Sequence, residues 1–155
     1  MSPPRFPLER SLTHRLHTLT KLTDRVTQAA YEQDAGIGFS EGRCLAAIGA
    51  FSPLSVNDLA RLANLNKAQA SRAAQTLVGQ GLVLKTTQPN DKRGVVLSLS
   101  QTGQTVWQRL SAVIAQRNKA IASCLSDTER EALSALLDKL VSHAQASARS
   151  PSDPS

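Results

Sequence analysis

Between Ser55 and Gly103 the chain sets out two short helical patterns, a tight polar turn, and two apolar β-type runs joined by a polar, basic tip. Few folds accept that order. The first pattern opens at Ser55-Val-Asn-Asp58, a capping-box-like start with Asp in place of Glu or Gln, and continues through Leu59, Leu62 and Ala63. Asn64-Leu65-Asn66 reads as the turn, with Asn66 capping the next helix from Lys67 to about Gln80. Ala70, Ala73, Ala74 and Leu77 form the inward face of that helix, and Gly81 stands where a helix ends in a left-handed residue. Leu82–Thr86 and Val95–Leu99 read as strands, with Gln88–Gly94 as the long turn between them. Helix, turn, helix and hairpin in sequence is the plan of a winged helix-turn-helix, mainly α with a two-stranded β wing.

The flanks are helical. Leu8 to about Glu32 reads as one long helix. Leu12, Leu19 and Val26 recur every seven residues, beside Leu8, Leu16, Leu22 and Ala30. Asp34-Ala-Gly-Ile-Gly38 breaks it. Ser40 is expected to cap a second helix to about Phe51, with Leu45, Ala47 and Ile48 facing inward and Pro53 beyond its end. Thr102 or Gly103 opens a helix to about Leu125, striped by Val106, Leu110, Val113, Ile114 and Ile121. Ser126-Asp-Thr-Glu129 is a full capping box before a last helix carrying Leu133, Leu136, Leu137, Leu140 and Val141. The expected organisation is an N-terminal dimerisation helix over 1–36 and a winged region over 37–101. C-terminal dimerisation helices follow over 102–146, and a disordered Ser- and Pro-rich tail over 147–155. The first and last stripes exceed what one small winged domain can cover, so a second copy is expected to cover them.

At 155 residues the chain can bury one sizeable core, and with aromatics at 3% that core must be aliphatic. So few rings also argue against a protein that stacks single-stranded bases. The net charge is +6, and +4 of it falls within 55–103, where phosphate binding would need it. On the helix from Lys67, the outward residues are short, polar and positive, which suits a major groove about 12 Å wide. Gln69 and Gln75 can read adenine edges, and Lys67 can reach guanine. Ser71 can contact a base or a phosphate, and Arg72 is placed for phosphate. At the tip, Lys92 is a further cation and Arg93 can enter a narrow minor groove. Asp91 cannot bind phosphate. It can orient Arg93, or an Arg of the recognition helix, by a charge-assisted bond. A merely solvated polar face is the usual fate of such residues; the turn and wing beside them decide for duplex DNA.

Several chemistries are disfavoured. His14, His17, His143, Cys44 and Cys124 show no metal-ligand spacing. No phosphate-cradling Gly loop or nucleophile elbow is present, so neither a cofactor nor an enzyme is expected. Cys44 lies in the apolar run R-C-L-A-A-I and is expected to be a buried, reduced thiol. Met1–Pro7 is polar and Pro-rich, unlike a signal peptide, and no segment reaches membrane-spanning length, so the expected location is cytoplasmic.

The stretch K-A-Q-A-S-R-A-A-Q-T-L-V-G-Q-G-L-V, then D-K-R, then L-S-L-S-Q-T-G resembles the MarR family of bacterial regulators. The resemblance is carried by Ser71-Arg72, Gly81-Leu82-Val83, Asp91-Lys92-Arg93 and Gln101-Thr102-Gly103. The chain departs from the pattern at Ser100, where threonine is usual, and at Val78, where an acidic residue is common. The basic residue often seen just after G-L-V is displaced to Lys85. The resemblance implies a homodimer whose first and last helices interlock. It also implies a pseudo-palindromic DNA operator and repression relieved by a small molecule, commonly an aromatic acid bound between the dimer helices and the winged domain. Candidate effector residues are His14, Arg15 and His17 on the first helix and Arg43 on the second, since an aromatic carboxylate needs an apolar slot and a cation. The alternative is a winged module that binds protein without DNA. Such a module tends to lose the cations that this chain keeps at Lys67, Arg72, Lys92 and Arg93.

Overall fold

The computed structural model describes residues 1–2, 4–87 and 94–149. It divides into two compact units, Met1–Arg117 and Asn118–Ser155, considered separately below.

The first unit begins with a 3-10 turn over Leu8–Arg10. Ser11 then adopts extended backbone and its hydroxyl accepts from the His14 amide at 3.4 Å, which caps α1, Leu12–Ala30. The single helix expected from Leu8 is therefore divided. A serine that can satisfy an orphan amide does so from outside the helix. α1 contains no buried residue. It runs into a π-helical turn, Tyr31–Ala35, that buries both its first and last residues, and Gly36 closes that turn at φ +65°. Left-handed backbone of this kind favours glycine.

α2 spans Phe39–Phe51 and is capped by the extended backbone of Gly38, with no side-chain bond. The expected cap, Ser40, is already inside the helix, two residues too late to serve. Leu45, Ala47 and Ile48 are buried as expected. Cys44 is wholly buried, and burial pushes its thiol up to about 11, with Glu41 adding to the effect and Arg43 opposing it. A second face of α2 is cut small. A Cβ on Gly42 would stand 2.5 Å from the Tyr31 ring, and one on Gly49 would stand 2.7 Å from Trp107. The two glycines are seats for two of the chain's few aromatic rings.

Three antiparallel strands follow in the order β1-β3-β2: β1 Leu54–Ser55, β2 Val83–Thr87 and β3 Val95–Leu99. The wing is registered by Val83 opposite Leu99 and Thr87 opposite Val95. β1 sets Leu54 opposite Leu97. Two residues are too short to carry an alternation, so the third strand has no sequence signal. The segment 88–93 lies outside the described residues. α3, Val56–Leu62, and α4, Lys67–Gly79, sit between β1 and β2. Fully buried Leu45, Ile48, Leu59, Leu77, Leu97 and Leu110 join these elements to α5, Gln101–Ile121, in one aliphatic core. Ile121, the end of the expected stripe on α5, is exposed.

In the second unit, Ser126 and Glu129 form the expected reciprocal cap of α6, Asp127–Arg149. The Glu129 amide donates to Ser126 Oγ at 3.1 Å, and the Ser126 amide donates to Glu129 Oε1 at 2.9 Å. These bonds, led by that from the Ser126 backbone, hold the Glu129 carboxyl below its ordinary range. Arg130 crosses the turn to the carbonyls of Leu125 and Ala122 and pairs with Asp127. α5 stops at Ile121 rather than Leu125, while α6 continues through Ser147 to Arg149, where a disordered tail was expected to begin. There Ser147 Oγ donates to the His143 carbonyl at 3.0 Å. Residues 150–155 lie outside the described residues.

α5 starts hard against the end of α4. A Cβ on Gly103 would overlap the Leu82 carbonyl, a backbone group that cannot step aside. Gly103→Ala is expected to cost about 3 kcal/mol or more by overpacking, measured by chemical denaturation. Gly79→Ala, where a Cβ meets open space, should be neutral or stabilising.

Candidate nucleic-acid interface

The polar face of α4 is presented by devices at both ends of each short helix. Ser55 Oγ accepts from the Asp58 amide at 3.1 Å and caps α3. Asp58 does not reach back to the Ser55 amide as a longer Glu would. Its carboxylate instead accepts from the Ser55 hydroxyl at 3.0 Å and from Arg61 at 3.1 Å. α3 closes on Asn64, held at φ +54°, with the Asn64 amide on the Arg61 carbonyl and the Leu65 amide on that of Ala60. This pair of bonds is a Schellman closure. α4 closes the same way. Gly81, at φ +73°, bonds Val78, and Leu82 bonds Leu77.

The start of α4 holds a feature not read from the sequence. Asn66 Oδ1 accepts from the Gln69 amide at 2.8 Å, and Gln69 Oε1 accepts from the Asn66 amide at 3.3 Å. This is a capping box with Asn and Gln in its two roles. Gln69 is exposed, as expected, but its carbonyl is committed to the helix end, and reading an adenine would require giving up that bond. The spacing N-x-x-Q was the available signal.

Ala70, Ala73, Ala74 and Leu77 are all buried, and Lys67, Ser71, Arg72 and Gln75 are all exposed. Lys67, Ser71 and Gln75 follow one another at four-residue steps and form a row, with Arg72 beside it. Among the described residues, none of these four side chains has a hydrogen bond or ion pair. Thr76, also outward, returns its hydroxyl to the Arg72 carbonyl at 3.0 Å. A groove of about 140 Å³ lies beside Lys67 and Ser71, lined also by Val56, Asn57, Ala60 and Ala70. Asn57 is an exposed polar addition that nothing in the sequence had marked. At the wing, Lys85 is exposed on β2 and Gly94 enters β3 at φ +70°. Asp91, Lys92 and Arg93 lie outside the described residues.

The four effector candidates do not share one place. His14, Arg15 and His17 are exposed on the first turns of α1. Arg43 is half-buried on α2, with its guanidinium 5.1 Å from the centre of the Phe39 ring. It lines a cavity of about 260 Å³ with Tyr31, Ala46, Phe51, Asn64 and Trp107, and none of the other three candidates lines it. The Tyr31 phenol is raised above its ordinary range, chiefly by burial; Arg43 pulls the other way and Asp24 adds slightly. A second cavity of about 330 Å³ brings Glu41 and Arg109 beside Thr76 and Gln80 of α4. Among the described residues, no cluster of three or more His, Cys, Asp or Glu could hold a metal, and no helix is long and apolar enough to cross a membrane.

Because Asn66 supports the first turn of α4 on its own side chain, Asn66→Ala is expected to cost about 1 kcal/mol, within a range of roughly 0.5–2 kcal/mol for such caps. Urea unfolding checks this, and Asn66→Ser should recover most of the loss.

No curated protein matches the chain in sequence. Residues 35–94 match the model of the MarR family. Among solved structures, the MarR/EmrR family transcriptional regulator of Acinetobacter sp. ADP1 is 25% identical, with a TM-score of 0.81 over 90% of this chain and 99% of that one. A cysteine-to-serine variant of MarR from E. coli, complexed with operator DNA, is 22% identical, with a TM-score of 0.73 over 89% and 99%. BpsR of Bordetella bronchiseptica, whose DNA binding is regulated by 6-hydroxynicotinic acid, is 19% identical, with a TM-score of 0.76 over 90% and 98%. Over residues 35–94, which match the MarR family model, the chain forms a winged helix-turn-helix, and its fold is similar to that of the MarR/EmrR family regulator of Acinetobacter.

Proposed function

We propose that this chain is a dimeric, sequence-specific, duplex-DNA-binding transcriptional regulator, a repressor released by a small aromatic acid, and not an enzyme. The observation that carries the DNA reading is the unpartnered row Lys67, Ser71 and Gln75 with Arg72, presented by a helix whose opposite face is wholly buried. Lys67, Gln75 and Ser71 face base edges. Arg72 and Asn57 take phosphate, and Gln69 joins only by leaving its cap. Lys92 and Arg93, in the segment joining the two wing strands, supply the flanking contact, with Asp91 orienting an arginine. The operator complex of the MarR relative supports the reading. Such a regulator works in the cytoplasm on a pseudo-palindrome, its two recognition helices about 34–36 Å apart.

The dimer reading rests on helices left bare. α1 exposes Leu12, Leu16, Leu19, Leu22 and Val26, each at least 43% accessible. α6, in its own unit, exposes Leu133, Leu136, Leu137, Leu140 and Val141. Neither helix has a buried residue, and most helical stability in proteins comes from packing an apolar face against a partner. The aromatic-acid reading draws on the BpsR relative and its 6-hydroxynicotinic acid.

A mobility shift with the DNA upstream of the chain's own gene tests DNA binding directly. Arg72→Ala is expected to weaken all duplexes alike and to reduce the salt slope by about one unit. Arg93→Ala should cost about 1–3 kcal/mol, with reduced preference for A·T-rich flanks. Unchanged affinity in both variants at physiological salt would remove the DNA reading. For the dimer, Leu19→Glu places a charge in the exposed stripe without touching the core. Light scattering should then report dissociation to monomer, and an intact dimer would show that α1 is not the interface.

A further inference from the structure

As an adenine reader, Gln69 joins the polar face of α4 only by leaving its cap, because adenine asks for an acceptor as well as a donor. Half of the side chain is not committed in this way. A carboxamide carries one acceptor oxygen and one N–H2 donor group. The Asn66 amide donates to Gln69 Oε1 at 3.3 Å, and the Gln69 amide donates to Asn66 Oδ1 at 2.8 Å. Neither side chain can turn over in place, since a flipped carboxamide would set donor against donor. The usual Ser and Glu of a capping box would leave no N–H2 here. Asn and Gln leave two, Asn66 Nδ2 and Gln69 Nε2, and neither nitrogen has a hydrogen bond among the described residues. Both side chains are exposed on the first turn of α4. Gln69 also leads a second flank of the helix, continued by Arg72 and Thr76. On that flank the Arg72 guanidinium carries donors alone, and the Thr76 hydroxyl turns back to the Arg72 carbonyl at 3.0 Å.

We propose that the capped Gln69 is a specificity residue for guanine, its Nε2 donating to O6 and N7 in the major groove while its Oε1 stays on the Asn66 amide. The proposal rests on the reading of the chain as a duplex-DNA binder. A side chain that presents N–H2 and no free carbonyl needs a base edge made only of acceptors. Guanine offers two such atoms side by side. Thymine offers O4 alone, beside its methyl group. Adenine sets its own amino group next to N7, and cytosine presents only its N4 amino group, so each brings donor against donor. The N-terminal residues of a recognition helix are the ones that meet base edges. Pulling Oε1 away to serve adenine would leave the Asn66 N–H without its partner at a surface from which DNA excludes water. Cap and readout therefore use opposite ends of one carboxamide, and the bond that fixes the start of the helix also aims the donor.

The full-length protein selects from a pool of randomised duplexes, and the enriched sequences are compared for the wild type, Gln69→Glu and Gln69→Ala. The wild type is expected to enrich a guanine at a position that both variants change. Gln69→Glu keeps an oxygen for the Asn66 amide but has no N–H, so it should fold as stably in urea, lose that guanine and favour cytosine, whose amino group donates. Gln69→Ala should lose the preference at that position and keep it elsewhere. In the selected duplex, replacing the guanine by adenine should weaken wild-type binding about tenfold. Hypoxanthine, which keeps O6 and N7, should bind as guanine does, and 7-deazaguanine should bind more weakly. If the position that the variants change prefers adenine, thymine or cytosine in the wild type, the proposal fails while the DNA reading stands. The same holds if both variants keep every wild-type base preference. If the folded wild type enriches no duplex at all, the DNA reading and the proposal fall together.

Discussion

The hydroxyl of Ser100 ties three parts of the fold together at one corner. It donates to the Gly81 carbonyl at 2.6 Å, just past the end of α4, and accepts from the Gly103 amide at 3.0 Å in the first turn of α5. The Ser100 amide meanwhile donates to the Leu82 carbonyl at 3.0 Å. The end of α4, the base of the wing and the start of α5 are thereby fixed at one corner. The absence of a side chain at Gly103 is what allows that corner to close. Threonine is the more usual residue where Ser100 stands, and either hydroxyl can make the bond.

Helix ends, more than helix interiors, position the polar face. α3 has seven residues and would not persist alone. It is held by Ser55 at one end and by left-handed Asn64 at the other, while α4 is held by Asn66 with Gln69 and by Gly81. Asparagine is one of the few residues other than glycine that accept left-handed backbone at modest cost. It also brings an amide side chain, which glycine at the same turn would lack. The price of this rigidity falls on Gln69, whose carbonyl serves the fold before any ligand.

Packing is distributed unevenly. The winged region buries or half-buries its large aliphatic side chains apart from Leu84, while α1 and α6 fully bury none. The proposed dimer would account for that imbalance: the core stabilises the winged region, and association would stabilise the long helices. Stability would then depend on protein concentration, as it does for any obligate dimer. On α2 the logic is reversed, since the residues that matter there are the small ones. Gly42 and Gly49 let two rings approach the helix axis, and the hollow left between the rings is the cavity at Arg43.

Much of this was legible in the sequence where the physics is local. The inward alanines of α4, the caps at Asn66 and Ser126, the stop at Gly81 and the strand Val95–Leu99 follow from periodicity and side-chain reach, which act over a few residues. The exposed stripes of α1 and α6 follow from the same periodicity. What was misplaced lies at boundaries where two local solutions compete: Ser11 against a helix from Leu8, and Gly38 against Ser40 as a cap. What could not be read depends on residues far apart in the chain. β1 exists only because Leu54 finds Leu97. Arg43 separates from His14, Arg15 and His17 only because the π-helical turn and Gly36 send α2 back along another path. Sequence by itself thus determined which surfaces are apolar, which are cationic and where α4 stops, since those are set by near neighbours. Tertiary structure alone decided which rings meet which glycines and which cation faces a cavity, because those contacts form only after the chain has closed on itself.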